Sequence, residues 1–235
     1  MSDHKRLFIG ARVSVPTANA LSGAAETLAR RARDGGFDIR WVAPVNYHVT
    51  LAFLGNTRID AISAVHDALE RATQATAPIK FRTTRLGAFP SLEKPRVVWA
   101  GVEDSGELTA LAKRIAAEIS ALGYGDLKPF HAHVTIGRVK EATAKLASLK
   151  DIVLPLAEQM FGDTRIDAIS LFESETKSSG SVYREIHRVT FKTGPNEAPE
   201  SAKRQTSELQ VGARERAVES ETETEDGWPR GHIPN

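Results

Sequence analysis

The chain has 235 residues, of which 41% are hydrophobic, and this suits one domain with a substantial core. Lys and Arg total 31 against 30 Asp and Glu, so there is no chain-wide basic signal and any site for a polyanion must be local. Cys is absent, which excludes disulfides, thiolate metal sites and thiol nucleophiles and fits a reducing compartment.

The apolar run at residues 7–11 is too short for the core of a signal peptide. No uninterrupted apolar stretch approaches the roughly 18 residues that a transmembrane helix needs. We therefore expect a soluble cytoplasmic protein that makes no membrane contact, and we expect it to be a monomer.

Short β-type runs alternate with helical patterns along residues 1–195, which indicates a mixed α/β domain. Strands are predicted over 7–15, 97–102, 166–173 and 183–192, the last two joined by a Ser/Gly-rich stretch at 178–181. Apolar residues at helical spacing predict amphipathic helices over 18–33, 60–73 and 106–122. Ser105 is predicted to cap the third helix, and Gly123 to stop it.

From residue 196 to residue 235 the chain turns polar, and it includes an acidic Ser/Thr run at 219–226. This composition predicts a disordered tail. The tail holds nine acidic and five basic residues, which leaves residues 1–195 with 21 acidic and 26 basic residues. The domain predicted over 1–195 is therefore mildly basic, as a phosphate-binding protein could be.

Two segments, 46–55 and 130–139, resemble each other. Each contains His-Val-Thr followed by an aliphatic residue, at His48 and at His133. We interpret the repeat as a duplication that gives two equivalent lobes.

Alternation along a strand gives each motif one polar and one apolar face. The predicted polar faces carry His48, Thr50 and Ala52 in the first motif and His133, Thr135 and Gly137 in the second. The opposite face, which includes Phe53, is expected to meet the helices. The small residue after each Thr would leave the surface concave, and two such strands side by side would direct both imidazoles into one cleft.

Two imidazoles and two hydroxyls in one cleft suit a phosphate group. Opening of a cyclic phosphodiester, for example, requires a proton to be removed from water and a proton to be given to the departing oxygen. Two histidines can supply both functions near neutral pH. The hydroxyls of Thr50 and Thr135 could donate to the non-bridging oxygens as negative charge shifts in the transition state.

Residues 6–192 resemble the bacterial and archaeal RNA 2′,3′-cyclic phosphodiesterases, historically named 2′-5′ RNA ligases, of the two-histidine phosphoesterase superfamily. The resemblance lies in the opening Arg-Leu-Phe-Ile-Gly at 6–10, in both His-x-Thr motifs with their surroundings, and in the stretches 86–90, 95–102 and 169–174 with Tyr183 after them. Two departures stand out: Ala132 where the family often has Pro, and the tail.

The resemblance implies an α+β fold of two pseudo-symmetric lobes, each an antiparallel sheet with helices on its outer side, around a central cleft. It implies hydrolysis of RNA 2′,3′-cyclic phosphodiester ends to 2′-phosphomonoesters, without a metal or other cofactor. His48 takes the position of the proton donor and His133 that of the proton acceptor. Thr50 and Thr135 take phosphate-contacting positions, and Arg138 takes that of a substrate-binding residue.

Three alternatives stay open. His48, His131 and His133 could form a three-imidazole metal site of the kind that suits zinc, although the spacing matches no usual metal-hydrolase motif. The substrate could be a small cyclic nucleotide or a cyclic ADP-ribose phosphate instead of an RNA end. The chain could also be a non-catalytic module that binds RNA ends, which a turnover assay would decide.

Overall fold

The structure is a computed structural model that describes residues 3–125, 127–142, 148–177 and 180–191. Within these residues nine strands and four helices follow one another. The strands are β1 (His4–Arg12), β2 (Phe37–Trp41), β3 (His48–Arg58), β4 (Ile79–Phe89), β5 (Val97–Asp104), β6 (His133–Ala142), β7 (Met160–Ile166), β8 (Ala168–Lys177) and β9 (Gly180–Thr190). The helices are α1 (Val15–Asp34), α2 (Ile62–Thr73), α3 (Glu107–Ser120) and the short α4 (Leu149–Val153).

The strands form one antiparallel sheet in the order β7-β4-β5-β6-β3-β1-β8-β9, with β2 also paired to β6. The sheet consists of a five-strand lobe, formed by β7-β4-β5-β6 with β2, and a four-strand lobe, formed by β3-β1-β8-β9, which meet where β3 adjoins β6. In the described residues these two strands pair only at Val49 and Val134. Beyond this contact β2, not β3, pairs with that edge of β6, so the two lobes share only a short junction, and a cavity lies over it. The predicted fold of two antiparallel lobes around a cleft is confirmed.

A helix can follow a strand of one lobe along the chain and still pack against the other lobe. Helix α1 follows β1 but packs against β2 and β7, whereas α3 follows β5 but packs against β3. Helix α2 contacts α3 and β9, so α2 and α3 cover one lobe while α1 and α4 lie together on the other. Their apolar stripes, including Leu21, Leu69 and Ile115, are fully buried in the core.

One predicted boundary and one predicted cap residue were wrong, because side-chain hydrogen bonds at the helix starts override the apolar pattern. The strand predicted over 7–15 ends at Arg12, since Ser14 accepts a hydrogen bond from the Thr17 N–H and begins α1 at Val15. Ser105 does not cap α3. The Asp104 carboxylate accepts from the Leu108 N–H at 2.6 Å, while the Ser105 hydroxyl donates to Glu107.

The strand predicted over 166–173 is divided between two strands. Residue Ile166 ends β7, and β8 begins at Ala168 and pairs with β9 as a hairpin. The prediction of a tail over 196–235 lies outside the described residues. None of the helices in the described ranges is both long and apolar enough to cross a membrane.

Candidate active site

The two motif strands share the same irregularity. Along the β1–β3 pairing, Thr50 faces Gly10 and Ala52 faces Ile9, so Leu51 is an extra residue. Along the β5–β6 pairing, Thr135 and Gly137 face successive residues of β5, and Ile136 is the extra one. Each His-x-Thr motif is therefore followed at once by a β-bulge, and this common geometry supports the interpretation of a duplication.

These bulges overturn the predicted alternation beyond each Thr. Ala52 and Gly137 are buried and do not line the cleft, because the extra residue turns them to the apolar side. The next residues, Phe53 and Arg138, face the cleft instead. Phe53 is 54% exposed, although the sequence predicted it on the helix-facing side.

A cavity of about 780 Å³ lies over the junction of the two lobes. It is lined by all five residues that the sequence predicted for the site: His48, Thr50, His133, Thr135 and Arg138. Because Val49 pairs with Val134 in an antiparallel register, His48 lies on the Thr135 side of the junction and His133 on the Thr50 side. The two motifs are thus related by a local two-fold arrangement, and their side chains can contact one bound ligand from opposite sides.

A backbone carbonyl fixes the orientation of each imidazole. Nδ1 of His48 lies 2.6 Å from the Asn46 carbonyl oxygen, and Nδ1 of His133 lies 2.7 Å from that of His131. A carbonyl can only accept, so Nδ1 carries the proton of each neutral ring and Nε2 has the free lone pair. Nε2 is therefore the atom that can take up or release a proton during a reaction.

The Thr50 hydroxyl lies 3.0 Å from Nε2 of His48. When the ring is neutral the hydroxyl donates to Nε2, and when the ring is charged the Nε2–H donates to the hydroxyl. Thr50 thus stabilises both protonation states of His48 and holds its ring in one orientation.

Aromatic side chains that the sequence analysis assigned no role support both imidazoles. Phe8 stacks on His48 with ring centroids 4.8 Å apart, and the Tyr183 ring meets His48 edge-on at 5.3 Å. Phe89 meets His133 edge-on at 5.0 Å. The only sequence signal for these residues was that each lies in a stretch of the family resemblance, since their contacts join strands distant in the chain.

Both imidazoles have lowered pKa values. Burial lowers the pKa of His48 to about 4; the Asn46 carbonyl opposes this shift, while the positive charges of Arg12, His133 and Arg138 add to it. Burial also lowers the pKa of His133, with the His131 carbonyl opposing. Both rings are therefore neutral at pH 7 before an anion binds.

Three cationic side chains of the described residues line the cavity. Arg138 is exposed and lies five residues after His133, while Arg6 and Lys128 line other parts of the wall. The sequence predicted a role only for Arg138, because neither of the other two belongs to a His-x-Thr motif, although Arg6 lies in the opening stretch of the family resemblance. A phosphate between the histidines would be attracted by these charges.

Gly10 lies directly against the His48 ring and leaves no room for a side chain. A Cβ added there would lie 2.9 Å from the Val49 carbonyl oxygen and 3.2 Å from Cδ2 of His48. We expect Gly10→Ala to displace the ring and to lower kcat/KM for a cyclic phosphate about 10-fold to 100-fold. Overpacking should also lower the free energy of unfolding by about 1–3 kcal/mol, measured by denaturant titration.

Gly23 of α1 gives the matched control, because a Cβ there would meet nothing within 4 Å. Gly23→Ala should keep wild-type turnover and leave stability unchanged or raised by about 0.5–1 kcal/mol. Wild-type turnover by Gly10→Ala would contradict the supporting role given to Gly10.

The alternative three-imidazole metal site is not formed in the structure. Among the described residues, no three His, Cys, Asp or Glu side chains are grouped so that they could hold a metal ion. His131 is exposed, and its carbonyl, not its ring, is the group that contacts His133.

Comparisons with known proteins identify related chains. The family model described as 2′-5′ RNA ligase superfamily matches residues 20–177. A Thermotoga maritima protein named RNA 2′,3′-cyclic phosphodiesterase is 30% identical over 190 residues, which cover 80% of this chain and 97% of that protein. A protein of the same name from Archaeoglobus fulgidus is 34% identical over 148 residues, covering 63% of this chain and 81% of that one.

A solved structure shows the same fold. The crystal structure of TT0787 from Thermus thermophilus matches with a TM-score of 0.64 at 26% identity, covering 79% of this chain and 97% of that chain. The matched residues 20–177 include both His-x-Thr motifs, their bulges and Arg138. This chain therefore belongs to the 2′-5′ RNA ligase superfamily.

Proposed function

We propose that this protein hydrolyses RNA 2′,3′-cyclic phosphodiester ends to 2′-phosphomonoesters, with His48 and His133 as its acid–base pair. The observation that carries the proposal is the symmetric placement of the two imidazoles around the Val49–Val134 junction, each with Nδ1 bonded to a carbonyl. The relatives named RNA 2′,3′-cyclic phosphodiesterase support the same substrate class.

In the proposed reaction, Nε2 of His133 takes a proton from water as the water oxygen attacks phosphorus. The bond between phosphorus and the 3′ oxygen breaks, and Nε2–H of His48 gives its proton to that oxygen. The product carries a 2′-phosphate and a 3′-hydroxyl. Thr135, Arg138 and, once its bond to His48 opens, Thr50 would stabilise the negative charge on the non-bridging oxygens.

The proposed role of His48 requires the substrate to raise the pKa of its ring. Contacts with Phe8, Phe172 and Tyr183 bury the ring, and burial lowers its pKa to about 4, so the free ring is neutral at pH 7 and its protonated form is a stronger acid than free imidazolium. The negative charge of a bound phosphodiester would raise that pKa and stabilise the protonated ring. His133 lies in a more open part of the cavity wall and suits the proton acceptor.

Product mapping tests the proposed function. We expect the purified protein to convert an RNA oligonucleotide ending in a 2′,3′-cyclic phosphate to a 2′-phosphomonoester, with equal turnover after exhaustive chelation. An adenosine 2′,3′-cyclic phosphate assay run beside it separates an RNA-end enzyme from one that acts on small cyclic nucleotides. Formation of only 3′-phosphate would contradict the orientation, and binding without turnover would identify a non-catalytic RNA-end module.

A further inference from the structure

Arg40 is a cation of β2 that belongs to neither His-x-Thr motif and lies beside Arg138. The two residues are directly opposite each other in the β2–β6 pairing, so their side chains leave the same face of the sheet. Arg138 lines the cavity, and so does Val42, two residues after Arg40. Side chains two residues apart share one face of a strand, so Arg40 lies at the edge of the cavity.

The other face of β2 is apolar and faces away from the cavity. Ile39 is buried there, and a Cβ added to Gly137 would meet side-chain atoms of Ile39 and Trp41. Because Arg40 alternates with these two residues, its half-buried side chain lies on the cavity face.

Arg40 and Arg138 form a pair of like charges. Among the side chains that the structure describes, no carboxylate forms an ion pair with either guanidinium. Two residues farther along each strand the charges are complementary, with Nζ of Lys140 3.5 Å from Oδ2 of Asp38. Like charges directly opposite each other destabilise a strand pair, whereas opposite charges stabilise it. The unbalanced positive charge therefore lies at the cavity edge, where a bound anion would offset it.

A second phosphate of an RNA substrate can supply this anion. In the proposed reaction Arg138 contacts the cyclic phosphate, which lies between the histidines. Within an RNA chain the terminal nucleotide also carries a phosphodiester on its 5′ side, and a free cyclic nucleoside phosphate lacks that group. Adjacent strands are about 4.8 Å apart, so Arg40 is placed one strand beyond Arg138 to meet the next phosphate. Contacts of this kind position a nucleic acid without reading its sequence.

We infer that Arg40 binds the phosphodiester on the 5′ side of the terminal nucleotide. The inference rests on the proposed function and deepens it, because it names the feature by which the site prefers an RNA end to a free cyclic mononucleotide. Arg138 and Arg40 contact successive phosphates, and the RNA chain leaves the cavity over β2, past Val42.

Two substrates that differ only in this phosphodiester test the inference. They are adenosine 2′,3′-cyclic phosphate and its 5′-methylphosphate derivative. The wild-type protein should have a kcat/KM about 10-fold higher for the derivative, mainly through KM, because the added contact is a charge-assisted hydrogen bond. In Arg40→Gln the ratio of the two kcat/KM values should fall to about one, and Arg40→Lys should retain most of it because the charge remains.

Lys140→Gln is the matched control, because it removes the same charge from the next cross-strand position. It should keep the wild-type ratio. The ratio compares two substrates on one variant, so a general loss of folded protein cancels. A wild-type ratio near one, an unchanged ratio in Arg40→Gln, or an equal fall in Lys140→Gln would each overturn the inference.

Calorimetric titration separates this inference from the proposed function. The ligands are adenosine 2′-phosphate and its 5′-methylphosphate derivative. If the wild-type protein turns over neither cyclic substrate but binds the derivative about 10-fold more tightly, and Arg40→Gln abolishes that difference, the phosphodiester subsite stands and the hydrolysis is wrong. Equal binding of the two ligands by the wild-type protein overturns the subsite.

Discussion

His48→Ala and His133→Ala are each expected to lower the rate of cyclic-phosphate hydrolysis at least about 100-fold, because a positioned acid or base contributes 10² to 10⁴. The two residues act in the same step, so the double variant should be scarcely slower than the slower single variant. Single-turnover kinetics on an RNA end with a 2′,3′-cyclic phosphate would measure all three.

His66→Ala provides the matched control for these variants. His66 is a half-buried histidine of α2 whose ring lies 4.8 Å from that of His187, and it does not line the cavity. This variant should keep wild-type turnover, and circular dichroism should show that all variants fold. Near-wild-type turnover by either folded variant, His48→Ala or His133→Ala, would refute the acid–base pair.

The pH dependence of kcat/KM should have its maximum below pH 6.5 and fall about tenfold per pH unit on the alkaline side. The productive free enzyme needs one imidazole charged and one neutral, and burial lowers both pKa values below 6.5, that of His48 to about 4. Above these values the doubly neutral form dominates, so the productive fraction falls as pH rises. The apparent pKa values of the acid and alkaline limbs of this profile describe the coupled pair of imidazoles, not either ring alone.

The profile of kcat should be displaced to higher pH than that of kcat/KM. In the complex the phosphodiester charge favours the protonated imidazole, which raises its pKa. Initial rates between pH 5 and pH 9, at limiting and at saturating substrate, give both profiles. A value of kcat/KM that stays flat or rises from pH 6.5 to pH 8.5 would contradict the lowered pKa values.

Local sequence patterns were sufficient for the three long helices and for the two histidines. The helices follow from 3.6-residue apolar spacing, and their predicted cores, such as Leu28 and Ile119, are buried as expected. The chemistry of the site was predictable because His48 and His133 recur in the same short motif. Repetition supplied evidence that a single motif could not.

The features that the sequence analysis missed depend on pairing between distant segments. The extra residue at Leu51 exists only relative to the register of β1, so strict alternation placed Phe53 on the wrong face. Phe8 contacts His48 from the neighbouring strand, and Gly10 matters only because that ring lies against it. Likewise Asp104, not Ser105, caps α3, because its carboxylate accepts a hydrogen bond from the Leu108 N–H, and residue spacing alone does not reveal this contact.

Replacing the leaving oxygen tests the division of labour between the histidines most directly. A cyclic phosphorothiolate with sulfur at the bridging 3′ position releases a thiolate, which needs no proton donor. On this substrate His48→Ala should recover most of its lost rate, whereas His133→Ala should stay at least about 100-fold slow, because attack by water still needs a base. Recovery of His133→Ala instead, or equal losses by both variants on the oxygen and sulfur substrates, would contradict a mechanism in which His48 donates and His133 accepts the proton.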